Sequence, residues 1–331
     1  GNLLGRKEWD WEGQAVWEPP LEAHGAGLSK RLANGNTVYA YRDDLPEEYK
    51  RLIVNPVRTH APPSSIQANS VVEVTPSGEV VWDWHTYEHI DVNRHLAVDG
   101  ALANWSHFNT LHPLPENKWY DAGDERFRPG NLLMSPRTLG FIFIVDKETR
   151  KIVWEYSGDY RGGLAGQHDP QMITKGSPGE GNILLFDNGH PPIRWIEHAG
   201  RTSVLEIDPV AEKVVWKYED DGYLTSRDAS YKNDDWGFNG HKFYSAYTGN
   251  VQRLPNGNTL INEALGGRAF EVTQEKELVW EYVWERHRNT QTANRYTYDH
   301  GPRLSALGVP DEQRVTPPSH VRTFYKESDS P

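Results

Sequence analysis

Cysteine is absent from the 331 residues. Disulfides and thiolate chemistry are therefore excluded, and cysteine usage carries no information on redox compartment. Basic residues are also scarce: 35 Lys and Arg face 47 Asp and Glu, a formal net charge of -12. A chain with no basic excess cannot neutralise a row of phosphates, which argues against a nucleic-acid partner and against an anionic membrane surface. No apolar run is long enough to predict an integral membrane segment. What is abundant is aromatic mass, with 13 Trp and 16 Tyr, enough for a sizeable core.

The tryptophans recur in a phrase. EGQAVWEP ends at Pro19, and EVTPSGEVVWDW occupies 73–84, IVDKETRKIVWEY 144–156, EIDPVAEKVVWKY 206–218 and EVTQEKELVWEY 271–282. The anchors Trp17, Trp82, Trp154, Trp216 and Trp280 are separated by 65, 72, 62 and 64 residues. A Gly-Asn turn precedes each copy, at Gly1-Asn2, Gly35-Asn36, Gly130-Asn131, Gly181-Asn182 and Gly257-Asn258. The last unit is the cleanest: VQRLP, Asn256-Gly257-Asn258, TLINEAL, Gly266-Gly267, AFEV, a turn at 274–277, then ELVWEYV. Such turns tolerate positive φ, and the alternation of Val, Trp and Tyr has the period of two that strands require. Four antiparallel strands per unit, repeated, predict an all-β six-bladed β-propeller, with five or seven blades as alternatives to six.

Residues 1–310 are expected to form this single domain, and 311–331, rich in Pro, Ser and charge, an extended tail. The chain opens in the middle of a blade, so the rest of that blade and any targeting segment are expected upstream. The chain is read as soluble, its compartment, whether periplasmic, secreted or cytoplasmic, being left open. The units exceed a minimal blade, and the excess falls at 43–69, 86–104, 113–129 and 219–240. These segments read as loops over one face, and 113–129 and 219–240 are candidates to close over the channel mouth.

In a propeller the first strand of each blade lines the channel, which makes the residues ahead of each Gly-Asn turn the place to look for chemistry. Histidine recurs there, as His24 in EAHGAGLSKRLANGN, His107 in NWSHFNTLHPLP and His168 in GQHDPQMITKGSPGEGN. Histidines at matching places in three blades would converge on one axis. Arg137 follows the second strand of the His107 blade, and its guanidinium is a fork for oxyanions. Asn109, Trp105, Phe243, Tyr244 and Tyr247 are the candidate substrate-binding residues; Trp105, Phe108, Phe243 and Tyr247 could hold a phenyl ring, although aromatics in such places are more often simply core. His85 and His89 in WHTYEH have i,i+4 spacing but lack the glutamate of a zinc-protease helix, and a solvated or lid-loop role is expected.

The runs HFNTL…NLLMSPR, GQHDPQ…GNILLFDNG and VQRLPNGNTLINE…GGRAFEVT resemble the PAPS-independent arylsulfotransferase family, over most of residues 20–300. The resemblance is greatest to its short arylsulfotransferase-like branch. It implies a six-bladed propeller that moves a sulfuryl group between phenols through a sulfated histidine. By position it implies His168 as the nucleophile, His107 and Arg137 as the grip on the sulfuryl oxygens, and His24 as a further channel histidine. The chain departs from the family in its longer interval between His107 and Arg137, and in lacking the N-terminal sandwich and disulfide of the periplasmic enzymes.

The chemistry is coherent. A neutral imidazole is nucleophilic near neutral pH, fixed cations meet the charge on the transferring oxygens, and a protonated imidazole would hand a proton to the leaving phenolate. A small aromatic substrate and no cofactor are expected. Two alternatives stay open. One is a metal-dependent lyase or related enzyme in which His24, His107 and His168 hold Mn, Fe, Cu or Zn, with Gln167 and Asp169 as further ligands. The other is a non-catalytic ligand-binding propeller.

Overall fold

A computed structural model describes residues 7–18, 28–53, 66–94, 104–158, 160–189, 201–220, 243–284 and 290–308. Four sheets of four antiparallel strands follow one another along the chain, each a simple meander. The first holds β3 (Ser29–Arg31), β4 (Thr37–Asp44), β5 (Gln67–Val74) and β6 (Val80–His85). The second holds β7 (Phe108–Pro113), β8 (Leu132–Pro136), β9 (Ile142–Val145) and β10 (Ile152–Tyr156). The third holds β11 (His168–Met172), β12 (Ile183–Asp187), β13 (Ser203–Asp208) and β14 (Lys213–Tyr218). The fourth holds β15 (Asn250–Arg253), β16 (Thr259–Glu263), β17 (Arg268–Val272) and β18 (Leu278–Val283). The fold is the all-β propeller expected, and the fourth sheet matches the strand-by-strand reading of the last repeat. The broken first unit contributes a two-stranded ribbon, β1 (Glu8–Trp9) with β2 (Ala15–Trp17). Among the described residues no helix is long and apolar enough to cross a membrane.

The first strands β3, β7, β11 and β15 neighbour one another and form the inner wall. The hydrophobic clusters lie between sheets. Val71 and Trp84 of the first pack with Met134 and Phe143 of the second, Ile144 and Trp154 of the second with Leu185 and Leu205 of the third, and Phe186 of the third with Ile261 and Phe270 of the fourth. Each repeat therefore depends on its neighbours for burial. The repeating tryptophans lock the sheets together. Trp82 Nε1 donates to Lys147 O (2.9 Å), Trp154 Nε1 to Pro209 O (2.9 Å) and Trp216 Nε1 to Gln274 O (2.8 Å), in each case reaching the outer hairpin of the following sheet.

The Gly-Asn turns supply a second lock. Gly35, Gly130, Gly181 and Gly257 have φ of 84°, 89°, 81° and 91°, a left-handed conformation costly for other residues. The adjoining asparagine donates to a carboxylate on, or in the second sheet just past, the third strand of its own sheet: Asn36 to Glu73 (2.7 Å), Asn131 to Asp146 (3.4 Å), Asn182 to Glu206 (2.7 Å) and Asn258 to Glu271 (2.7 Å). In three of these sheets a cation from beyond meets the other carboxylate oxygen. Lys147 pairs with Glu73, Arg253 with Glu206 at 2.5 Å, and Arg295 with Glu271. Residues 293–295 lie along β15 through paired amide contacts with Asn250 and Gln252. Arg303 then pairs with Glu12 of the N-terminal ribbon, and Trp17 of that ribbon packs on Tyr39, Val72 and Val74. The two ends of the described chain thus meet between the fourth sheet and the first.

Strand direction assigns the insertions to faces. Each first strand begins at one end of the propeller and runs to its Gly-Asn turn at the other. Insertions 43–69, 86–104 and 219–240 follow second or fourth strands and spring from the end where β7 and β11 begin, although residues 221–242 and parts of the other two lie outside the described residues. Insertion 113–129 expands the hairpin between β7 and β8, ahead of its Gly130-Asn131 turn, and so springs from the opposite end, against the expectation that it closes the same mouth. It carries a helical turn at Lys118–Asp121, and Trp119 Nε1 donates to Gly181 O (2.8 Å), covering the turn of the next sheet. The tail 311–331 lies outside the described residues.

The buried pair Arg253–Glu206 gives a stability test, since their side chains are 2% and 6% exposed. Arg253→Met leaves a buried carboxylate without its counter-charge and should destabilise by about 3–5 kcal/mol. Urea denaturation measures this, and adding Glu206→Gln should recover much of the loss.

Candidate functional site

His107 and His168 meet at the start of the inner wall, although they do not occupy matching repeat positions. Counting back from the residue whose N–H closes each Gly-Asn turn, Leu114 and Ile173, His168 corresponds to Asn109, while His107 lies two residues further out. Convergence comes instead from the backbone. His107 has φ of 40° and Asp169 of 51°, left-handed values that re-aim side chains at the mouth of β7 and β11 and cost of order 1 kcal/mol each. The strain is held from outside. Phe108 N–H and Ser106 Oγ both donate to Asn69 Oδ1 of the first sheet, and Arg137 N–H donates to His107 O.

The environment of His168 fixes its tautomer. Asn188 Nδ2 donates to Ser245 O (2.7 Å) and Thr248 O (2.8 Å), so its carbonyl must face the ring, and Oδ1 lies 2.6 Å from His168 Nδ1. Gly166 O lies 2.9 Å from the same nitrogen. Two acceptors demand Nδ1–H and leave the Nε2 lone pair available. Burial, with Arg137 second and His107 adding to it, pushes the His168 pKa down to about 3 against the support of Asn188, so the ring is neutral. Burial, Arg137 and Arg42 push His107 down to about 4. His107 is therefore a neutral hydrogen-bonding group near neutral pH, and neither it nor His168 is the protonated imidazole that would hand on a proton. Asn104 Nδ2 contacts its Nδ1 at 3.1 Å, which turns an Nε2–H outward.

Arg137 is 4% exposed, and its Nε and Nη2 are sealed from solvent with no hydrogen-bond partner among the described residues. Its guanidinium carbon lies 5.1 Å from the centroid of the Tyr247 ring. A buried guanidinium without an anion among the described residues is the outstanding electrostatic debt of this site. Arg137 and Asn188 stand at the same offset, six residues beyond the Gly-Asn asparagine, and Arg42 shares that offset in the first sheet. Aligning the repeats on that asparagine exposes both Asn188 and Arg42, which a search for histidines alone passes over.

The remaining candidates separate. Asn109 and Phe108 edge a cavity of about 520 Å³ that also touches His107 and His168, a size suited to a small molecule. Asn109 Nδ2 donates to Gln167 O (2.6 Å). Trp105 and Phe243 are 1% exposed and sit in the clusters between sheets. Tyr244 is 5% exposed, and burial, with Tyr247 beside it, pushes its pKa up to about 12. His24 lies outside the described residues. Among the described residues no three His, Cys, Asp or Glu side chains converge as metal ligands. Gln167 is fully buried with its amide nitrogen given to Ser135 and Phe141, and both oxygens of Asp169 are engaged, one by His112 and the other by Gln171 and the Val251 N–H.

His85 and His89 form no metal-ligand cluster among the described residues, and His89 is exposed. His89 stacks on Trp84, with ring centroids 4.7 Å apart and planes 3° from parallel. His85 Nδ1 lies 2.9 Å from both Asp43 Oδ2 and Ser70 Oγ, so serine and carboxylate crowd one ring nitrogen, unlike a nucleophile relay.

A family model described as Arylsulfotransferase (ASST) matches residues 51–285, more than half the chain. The chain belongs to the arylsulfotransferase family. No curated protein matches it. Solved structures similar to it include a catalytically inactive virginiamycin B lyase from Staphylococcus aureus, at 10% identity and a TM-score of 0.40, covering 84% of this chain and 62% of that one. A Bacteroides caccae protein of unknown function is similar at 11% identity and a TM-score of 0.35, covering 65% and 54%. The chain spans about three fifths or less of the length of these structures.

Two titration experiments follow. A depressed histidine pKa favours the neutral form on folding, so it costs stability as pH falls from about 6.5 towards the folded value. Wild-type protein should lose stability faster than His168→Gln between pH 6.5 and 4 in denaturation series, and nitrogen-15 NMR should find the His168 Nδ1–H tautomer alone, mixed in Asn188→Ala. For His85 the sign is opposite. The Asp43 carboxylate raises its pKa, giving stability that is complete below about 6.5 and lost as pH rises through the folded value. The melting-temperature gap between wild type and His85→Asn should narrow from pH 6 to 9.

Proposed function

We propose that this chain transfers a sulfuryl group between phenolic compounds, with His168 carrying it in the channel. The observation behind this reading is the pairing of a neutral imidazole, its Nε2 lone pair available, with a buried guanidinium that has no anion among the described residues. In the first half-reaction His168 Nε2 attacks the sulfur of an aryl sulfate. The N–S bond forms as the S–O bond to the aryl group breaks, and the phenolate leaves with the electron pair. Nδ1–H stays in place, and Asn188 Oδ1 and Gly166 O stabilise the positive charge that the ring gains. Arg137 meets the negative charge on the sulfuryl oxygens, and His107 Nε2–H donates to one of them. In the second half-reaction a phenolate oxygen attacks the same sulfur. The N–S bond breaks and its electron pair returns to Nε2. One site serving two substrates in turn gives ping-pong kinetics. His24 is assigned here as a further donor to the sulfuryl group, and Asn109, Phe108 and Tyr247 as neighbours of the aryl ring.

The test combines turnover of p-nitrophenyl sulfate, phenol as acceptor, with intact-mass detection of the intermediate. Wild type should gain the mass of one SO₃ when the acceptor is withheld, and lose it when phenol is added. His168→Ala should show neither the adduct nor transfer. Arg137→Met should lower kcat on the order of 10²-fold or more, as removal of a charge-stabilising donor does. Transfer by His168→Ala at the wild-type rate would overturn the reading, as would stoichiometric bound metal with no turnover.

A further inference from the structure

The inner wall carries a second layer of side chains, two residues ahead of the residue that closes each Gly-Asn turn: Lys30, His112, Gln171 and Gln252. Three of the four are committed to the wall. His112 Nε2 lies 3.1 Å from Asp169 Oδ1. Gln171 Nε2 donates to Asp169 Oδ2 (2.9 Å) and to Val251 O (2.5 Å). Gln252 accepts from Arg295 N–H (2.8 Å) and donates to Arg295 O (3.0 Å). Lys30 alone makes no hydrogen bond or ion pair with any described residue. Its ammonium feels Asp169, but both oxygens of that carboxylate are already taken up, by His112 and by Gln171 with the Val251 N–H.

Lys30 borders the same cavity as His107 and His168. It is half-buried, and burial lowers its pKa from the usual lysine value, with Asp169 opposing. His107 and His168 are neutral, so among the described residues the cavity and its surroundings hold the cations Lys30, Arg137 and Arg42 against the one engaged anion Asp169. That is a local excess of positive charge inside a protein of net charge -12. A sulfuryl group at Arg137 leaves Lys30, on the cavity wall, without an anion.

We propose that Lys30 binds a second anionic group on the substrate, so that the channel takes aryl sulfates and phenols carrying a carboxylate or similar anion remote from the reacting oxygen. The inference rests on the sulfuryl-transfer reading for which end of the molecule reacts. The anion subsite itself rests only on Lys30 and the cavity. A lysine is a point charge on a flexible stem, suited to an anion whose orientation is set elsewhere.

The probes are 4-carboxyphenyl sulfate against p-nitrophenyl sulfate as donors, and 4-hydroxybenzoate against 4-hydroxybenzyl alcohol as ligands. Wild type should favour the carboxylate donor in kcat/KM by about tenfold or more. Lys30→Gln should abolish that preference through KM, and Lys30→Arg should restore most of it. Calorimetry should give tighter binding of 4-hydroxybenzoate than of the alcohol to wild type, with the difference lost in Lys30→Gln. Circular dichroism melting checks that both variants fold. A preference for the carboxylate that survives Lys30→Gln, or no preference in wild type, overturns the proposal. Carboxylate-selective binding that depends on Lys30, without turnover of either sulfate, keeps the anion subsite and overturns sulfuryl transfer.

Discussion

A carboxylate pinned between sheets underlies the rest of this structure. Each sheet is too thin to bury its own apolar faces, so the core lies between neighbours, and the neighbours must be held at a fixed rotation. The asparagine of the Gly-Asn turn fixes one oxygen of Glu73, Glu206 or Glu271, and a cation from the adjoining element takes the other. The tryptophan indoles add a neutral hydrogen bond at the rim. With both in place the first strands of the four sheets stand side by side, and their outer ends can carry side chains that point at one another.

The site uses that rigidity to hold an arrangement that would not survive in a softer structure. His107 and Asp169 keep left-handed backbones, and Arg137 is buried with no anion among the described residues. Each is unfavourable by itself. Together they leave a neutral imidazole, a fixed tautomer and a positive charge unmet among the described residues in a small volume. Burial, with Arg137 close to both imidazoles, depresses their pKa values, which keeps both rings unprotonated.

The polar cluster at Asp43, Ser70 and His85 shows how geometry decides what residue types leave open. The i,i+4 spacing in WHTYEH would suit a helical pair of ligands, but the missing glutamate argues for a solvated or lid-loop role. The helical turn there is one turn long, Thr86–His89, and the two rings are drawn apart, one onto Trp84 and the other onto Asp43. A similar lesson comes from insertion 113–129. Its composition reads as a loop over the site, but its place within the hairpin between β7 and β8 puts it at the far end.

The repeat was legible in the sequence because each sheet solves the same problem with the same residues: glycine where φ is positive, asparagine for the carboxylate, tryptophan for the next hairpin. His107, His168 and Arg137 were legible as candidates because their types are costly to place without purpose. Asn188 was not, since an asparagine in FDNG also reads as a turn, and only the two carbonyls across the interface at Ser245 and Thr248 reveal that its own carbonyl is aimed at His168. Lys30 was hidden for a related reason. In KRLANGN it is one more charged strand residue, and its meaning depends on which partners the other three positions of its layer have already taken. Local sequence determined strands, turns and their repetition, because those follow from backbone sterics and side-chain period. Tertiary structure decided protonation, tautomer and unmet charge, because these depend on burial and on neighbours brought together from four separate sheets.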